Sequence, residues 1–145
     1  MSETEKYDTV IIGAGIIGCA VALELSRMGH KTINAEMLPA AGYGSTSNSC
    51  AIIRVHYSTE HDTAYAYDGY FYWKDWSGYL DHSGGGELAE FRETGCLVMK
   101  TEGNGYLKKI LANLEALSIP HEHWDTSKIE NRLPFYDLRK YGPRV

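Results

Sequence analysis

The chain has no excess of basic residues. Fourteen Lys and Arg stand against 19 Asp and Glu, a formal charge of -5, so neither nucleic acid nor an anionic membrane surface, both of which need a basic face, is indicated as a partner. Cysteine is scarce and unpatterned: Cys19, Cys50 and Cys96 are odd in number, widely spaced and form no CxxC. That argues against a disulfide framework or zinc site and suits reduced thiols in a cytoplasmic setting. No apolar run reaches membrane length, since Val10 to Leu23 is uncharged for only 14 residues, short of the roughly 18 that a span requires. It is preceded by Glu3, Glu5 and Lys6, not by the basic start of a signal peptide. There is no internal repeat, and the one low-complexity stretch is the connector His82-Ser83-Gly84-Gly85-Gly86.

What is present begins with Gly13-Ala14-Gly15-Ile16-Ile17-Gly18, directly after the apolar run Tyr7-Asp8-Thr9-Val10-Ile11-Ile12. A strand, this glycine spacing and a helix together form the fingerprint of a dinucleotide-binding βαβ unit. Gly13 permits a tight turn, Gly15 lets backbone approach a pyrophosphate, and Gly18 lets the helix lie against the strand. Ala14, Ile16 and Ile17 complete the loop, whose N–H groups at the helix start suit an anion. Glu36 follows Gly18 by 18 residues, close to the roughly 20-residue spacing of a carboxylate that binds ribose hydroxyls and disfavours a 2′-phosphate. The bare glycine pattern also occurs in loops without a ligand; the flanking strand, helix and acid supply the context it needs.

Periodicity predicts a strand over 7–12, a helix over 15–29 stopped by Gly29, and a second strand, parallel to the first, over 31–36. Residues 39–50 are small, polar and glycine-rich, a loop. Asp62 to Leu80 carries Ala66, Gly69, Tyr70, Trp73, Trp76 and Leu80 at helical spacing, with Tyr65, Tyr72 and Tyr79 on another line, an aromatic stripe read as packing. A strand is expected from Phe91 to Lys100, an amphipathic helix from Asn104 to Leu117 with Asn104 as N-cap, and a short strand at His121 to Trp124. A final helix is expected with Thr126 or Ser127 as its N-cap and an imperfect capping box. With 43% hydrophobic residues in 145, the chain is the size of one domain. Only one βαβ step of a nucleotide-binding sheet is visible, so the fold is expected to be incomplete. His121 and His123 would share a strand face but lack further ligands, and no metal is expected.

Four blocks resemble the N-terminal part of the D-amino-acid-oxidase-like FAD-dependent oxidoreductases, the group of sarcosine oxidase, glycine oxidase and dimethylglycine dehydrogenase. They are Asp8 to Gly18, Gly44-Ser45-Thr46-Ser47-Asn48-Ser49 running into Ile52-Ile53-Arg54, Arg92-Glu93-Thr94-Gly95-Cys96-Leu97, and Asn131-Arg132-Leu133-Pro134. The resemblance implies an α/β fold: the βαβ start of a Rossmann-like FAD-binding domain over 1–80, and the beginning of an α+β substrate region over 81–145. It implies FAD as cofactor, held by the fingerprint, Glu36 and the loop residues Ser45, Thr46, Ser47, Asn48 and Ser49. It also implies that Arg54 holds a substrate carboxylate, for which an always-charged planar fork is suited. His56 and Tyr57 are weaker candidates, read as packing or hydrogen-bonding residues. Where some relatives carry a histidine that bonds flavin covalently, this chain has Asn48, so that linkage is not expected.

The reaction so implied is oxidation of an amino acid or a secondary or tertiary amine, such as sarcosine or dimethylglycine, by hydride transfer to flavin. No residue stands out as a catalytic acid or base, and nothing in the residues sets an oligomeric state. The 145-residue chain alone is expected to be inactive. Two other readings remain: an NAD-binding dehydrogenase domain, and a truncated, non-catalytic nucleotide-binding or interaction fragment.

Overall fold

The computed structural model describes residues 4–101 and 103–138. They form two compact units, one ending at Ile52 and one beginning at Ile53. The first is a βαβ unit: β1 (Thr9–Ile12), α1 (Ile16–Arg27) and β2 (Thr32–Ala35). The strands pair in parallel in the register Thr9 with Thr32, Val10 with Ile33, Ile11 with Asn34 and Ile12 with Ala35. Side chains alternate across the strands, which puts Ile11 and Asn34 on the face toward α1 and Val10, Ile12 and Ile33 on the other. Polar Asn34 is accommodated beneath the helix because its amide donates to the carbonyls of Gly13 and Gly18, at 2.9 and 3.2 Å. The opposite face is open, with Val10 64% and Ile12 93% exposed, although parallel sheets are ordinarily covered on both faces.

Gly29 ends α1 as its position predicts. Its φ is +86°, and the N–H groups of Gly29 and His30 return to the carbonyls of Ser26 and Leu25, which satisfies the orphan acceptors of the last turn.

The second unit holds α2 (Glu60–Lys74), α3 (Trp76–Tyr79), α4 (Gly105–Ala116) and α5 (Thr126–Arg132). Among its described residues the buried apolar ones are Leu114, Ile119, Ile129 and Leu138, joined by fully buried Thr63. Thr63 Oγ is 2.9 Å from the Thr59 carbonyl oxygen, so its burial leaves no unpaired polar atom.

The structure departs from the sequence pattern at four places. The single helix expected over 62–80 is broken at Asp75, whose carboxylate accepts the N–H of Gly78 and starts a new turn. Phe91 to Lys100 is not a strand: Gly95 at φ +73° and the Thr94 N–H bonded to the Arg92 carbonyl turn it locally. His121 to Trp124 is likewise irregular. β-propensity favours extended backbone, but a strand also needs a neighbour to pair with. The last helix is capped by Asp125, not Thr126 or Ser127; its side chain takes the N–H of Lys128. Asn104 does cap α4, accepting from Tyr106.

The aromatic stripe packs largely upon itself. Trp73 stacks on Trp76 at 4.5 Å between ring centroids, Tyr72 meets Tyr79 edge-on at 5.0 Å, and Tyr67, Tyr70 and Phe71 cluster. Tyr65 is the exception, 79% exposed.

Candidate functional site

Residues 13–18 turn the chain from β1 into α1. Gly13 takes φ +102°, a conformation that costs an L-residue strain, and its N–H is tied to the Ala35 carbonyl at the end of β2. A Cβ on Gly18 would stand 2.2 Å from the Gly13 carbonyl oxygen, and one on Gly15 would stand 3.1 Å from Thr46 Oγ, whereas the space beside Gly13 is open. Gly18 therefore lets the helix close onto the turn, while Gly15 admits a side chain from a later loop. Ile16 and Ile17 are exposed at the helix start, and among the described residues of this unit Ala14 is the buried apolar one.

Glu36, the residue after β2, reaches back to this turn. One carboxylate oxygen accepts the N–H of Ala14 at 2.7 Å and the other that of Leu38 at 2.9 Å. These N–H groups, Ala14 first, hold its carboxyl below the usual carboxylate range, because hydrogen bonds to the charged form favour it. A carboxylate oxygen can accept more than one hydrogen bond, so both retain capacity for the hydroxyls of a ligand.

The 42–49 loop meets the same turn. Thr46 Oγ accepts the Ile16 N–H at 3.0 Å, and the Gly42 N–H donates to the Ala14 carbonyl at 2.9 Å. Within the loop, Ser47 donates through its backbone N–H and hydroxyl to the Gly42 carbonyl, and Asn48 donates to that of Gly44. Ser49 Oγ accepts from Ala51, and Ser45 is exposed. Of the expected cofactor residues, the glycine turn, Glu36 and Thr46 are thus brought into direct contact. Ser45, Ser47, Asn48 and Ser49 share the loop without touching the turn through a hydrogen bond.

Arg54 belongs to the second unit. It is exposed, with its guanidinium 4.8 Å from the centre of the Tyr57 ring. The Tyr57 carbonyl in turn accepts from Asn113 of α4 at 3.1 Å. Half-buried His56 has its pKa lowered, first by burial and then by the charges of Arg54 and Lys100. Lys100, whose charge acts on His56, lies 46 residues from Arg54 in the sequence, a spacing that gives no reason to single it out.

Comparison with known proteins follows the same line. The model of the DAO family, described as FAD dependent oxidoreductase, matches residues 8–142. The peroxisomal sarcosine oxidases of Homo sapiens and Mus musculus are each 30% identical over 135 residues, 92% of this chain and 33% of theirs. The chain thus spans about a third of the length of the curated relatives it matches. No solved structure matches it.

Proposed function

The chain belongs to the DAO family of FAD-dependent oxidoreductases, and on that premise we propose that it forms the cofactor-binding start of an enzyme oxidising the C–N bond of an amino acid or amine. Sarcosine and dimethylglycine are the substrates to try first, because the relatives it resembles are named as sarcosine oxidases.

The observation that carries this reading is the convergence of Glu36 and the glycine turn, with the Glu36 carboxylate 2.7 Å from the Ala14 nitrogen. The residues present fit a dinucleotide. The space beside Gly13 is open, Gly18 tolerates no side chain, and an ionised carboxylate stands at the end of β2. The Gly13 to Gly18 backbone would hold the pyrophosphate, and Glu36 would accept hydrogen bonds from the adenosine ribose. Ser45, Thr46, Ser47, Asn48 and Ser49 would offer hydroxyl and amide groups to the flavin. Arg54 holds the substrate carboxylate through its planar fork. Bound FAD supplies the hydride acceptor, while these residues supply placement and electrostatics.

In the whole protein we assign 1–80 to the Rossmann-like FAD-binding domain and 81–145 to the start of the substrate region. The open sheet face at Val10 and Ile12, and the chain's span of a third of its relatives, support the further reading that the 145 residues alone do not turn over substrate. Exposed Cys19, Cys50 and Cys96 suit a reducing compartment, for which we propose the cytoplasm. Imaging of the tagged whole protein tests that placement against the peroxisome named for the relatives.

The test of function is anaerobic addition of sarcosine or dimethylglycine to the FAD-loaded whole protein. Bleaching of the flavin absorbance is expected, and no bleaching with any amino acid or N-methylated amine would overturn the assignment.

A further inference from the structure

Helix α1 begins without a side-chain cap. Gly15 is its N-cap residue and has no acceptor to offer the free N–H groups of the first turn, which elsewhere a Ser, Thr, Asp or Asn at that position would supply. The acceptor comes instead from 30 residues further on: Thr46 Oγ is 3.0 Å from the Ile16 nitrogen. Gly15 and Thr46 are sterically matched, since a Cβ at Gly15 would come within 3.1 Å of that oxygen.

A second, backbone tie runs beside the first. The Gly42 N–H donates to the Ala14 carbonyl, and the Gly42 carbonyl then accepts from Ser47, next to Thr46. Gly42 itself adopts φ +80°, the conformation that lets one residue face both the turn and its own loop. The loop is therefore closed at its base by Gly42 and fastened at its far side by Thr46.

We infer that Thr46 is a positioning residue, a latch that fastens the 42–49 loop to the start of α1 so that loop and glycine turn become ordered as one nucleotide-binding unit. This rests on the FAD reading above and adds to it that the Thr46 hydroxyl acts first on the protein's own backbone. Ser45, Ser47, Asn48 and Ser49 depend on that latch for their placement.

The test compares Thr46→Val, which keeps the shape and removes the acceptor, with Thr46→Ser, which keeps the acceptor. FAD affinity is measured by titration of the whole apoprotein, and amide exchange is followed at Ile16. Loss of a cap of this kind predicts roughly tenfold weaker FAD binding and faster Ile16 exchange in Thr46→Val, with Thr46→Ser within about twofold of wild type. Equal affinity in wild type and Thr46→Val, or a Thr46→Ser as weak as Thr46→Val, overturns the latch while leaving the FAD reading in place. A wild-type protein that takes up no FAD overturns the FAD reading and the latch's functional role together. Should Thr46→Val fail to fold, exchange in the wild type still decides, because an Ile16 amide that exchanges as fast as free backbone contradicts the latch.

Discussion

The Glu36 carboxylate accepts the backbone N–H of Ala14 across 2.7 Å, joining the end of β2 to the turn that follows β1. One acidic side chain thereby shapes the glycine turn, and it is the residue proposed above to bind the ribose hydroxyls. Glu36→Gln retains one acceptor oxygen but loses the charge and the second acceptor. It is expected to weaken FAD binding by roughly tenfold, the scale of one charge-assisted hydrogen bond. Titration of the whole apoprotein measures it.

The same carboxylate gives a pH dependence. Its pKa is lowered in the folded chain by the N–H groups of Ala14 and Leu38, so its contribution is present above the ordinary carboxylate pKa and is lost as pH falls through the lowered folded value. FAD affinity should accordingly hold through the ordinary carboxylate value of about 4.3 and fall only at lower pH, with a smaller fall in Glu36→Gln. Equilibrium dialysis across that range is the check.

Gly18 and Gly29 separate steric from conformational roles of glycine. Gly18→Ala puts a Cβ 2.2 Å from a backbone oxygen and is expected to destabilise by roughly 1–3 kcal/mol. Gly29→Ala meets no atom within 4 Å but must hold φ +86°, at a cost of about 1 kcal/mol. Urea unfolding of the two variants, ranked against wild type, tests the order.

Much of the first unit is legible in the sequence because its constraints are local. The strand run, glycine spacing and Gly29 stop each follow from short-range sterics, and β1, α1 and β2 fall within the spans 7–12, 15–29 and 31–36. The Thr46 to Ile16 bond joins residues 30 apart, and nothing in either residue's neighbourhood announces it. In the second unit, Thr126 and Ser127 offer hydroxyls as caps, yet Asp125, just before them, supplies the acceptor for Lys128. Phe91 to Lys100 has strand-like composition but turns at Gly95, because composition does not provide a partner strand. The Asp75 break is hidden in the sequence because the aromatic spacing continues across it. Its signal was the Asp75-Trp76-Ser77-Gly78 run, an acceptor three residues before a glycine N–H.

His56 gives a second pH prediction, of the same sign by a different route. Burial, with the charges of Arg54 and Lys100, depresses its folded pKa, so between that value and the unfolded value of about 6.5 the unfolded chain binds more protons. Stability should fall as pH drops below about 6.5, and His56→Gln should flatten that dependence. Urea midpoints across pH 5–7.5, roughly the window of histidine titration, measure it.

Arg54 is exposed, and the Tyr57 ring holds its guanidinium. With the carboxylate role proposed for it, Arg54→Met should raise KM for an amino-acid substrate by roughly 100-fold, with Arg54→Lys intermediate because a point charge replaces a bidentate fork. Steady-state kinetics of the whole enzyme, compared with an amine lacking the carboxylate, isolate that contribution.

The central claim is that the glycine turn, Glu36 and the 42–49 loop hold FAD, and the visible spectrum of the purified whole protein after removal of free cofactor tests it most directly. Retained bands near ~370 and ~450 nm, those of oxidised flavin, are predicted, and they should diminish in Glu36→Gln under the same washing. A wild-type protein that stays colourless after incubation with FAD would contradict the account.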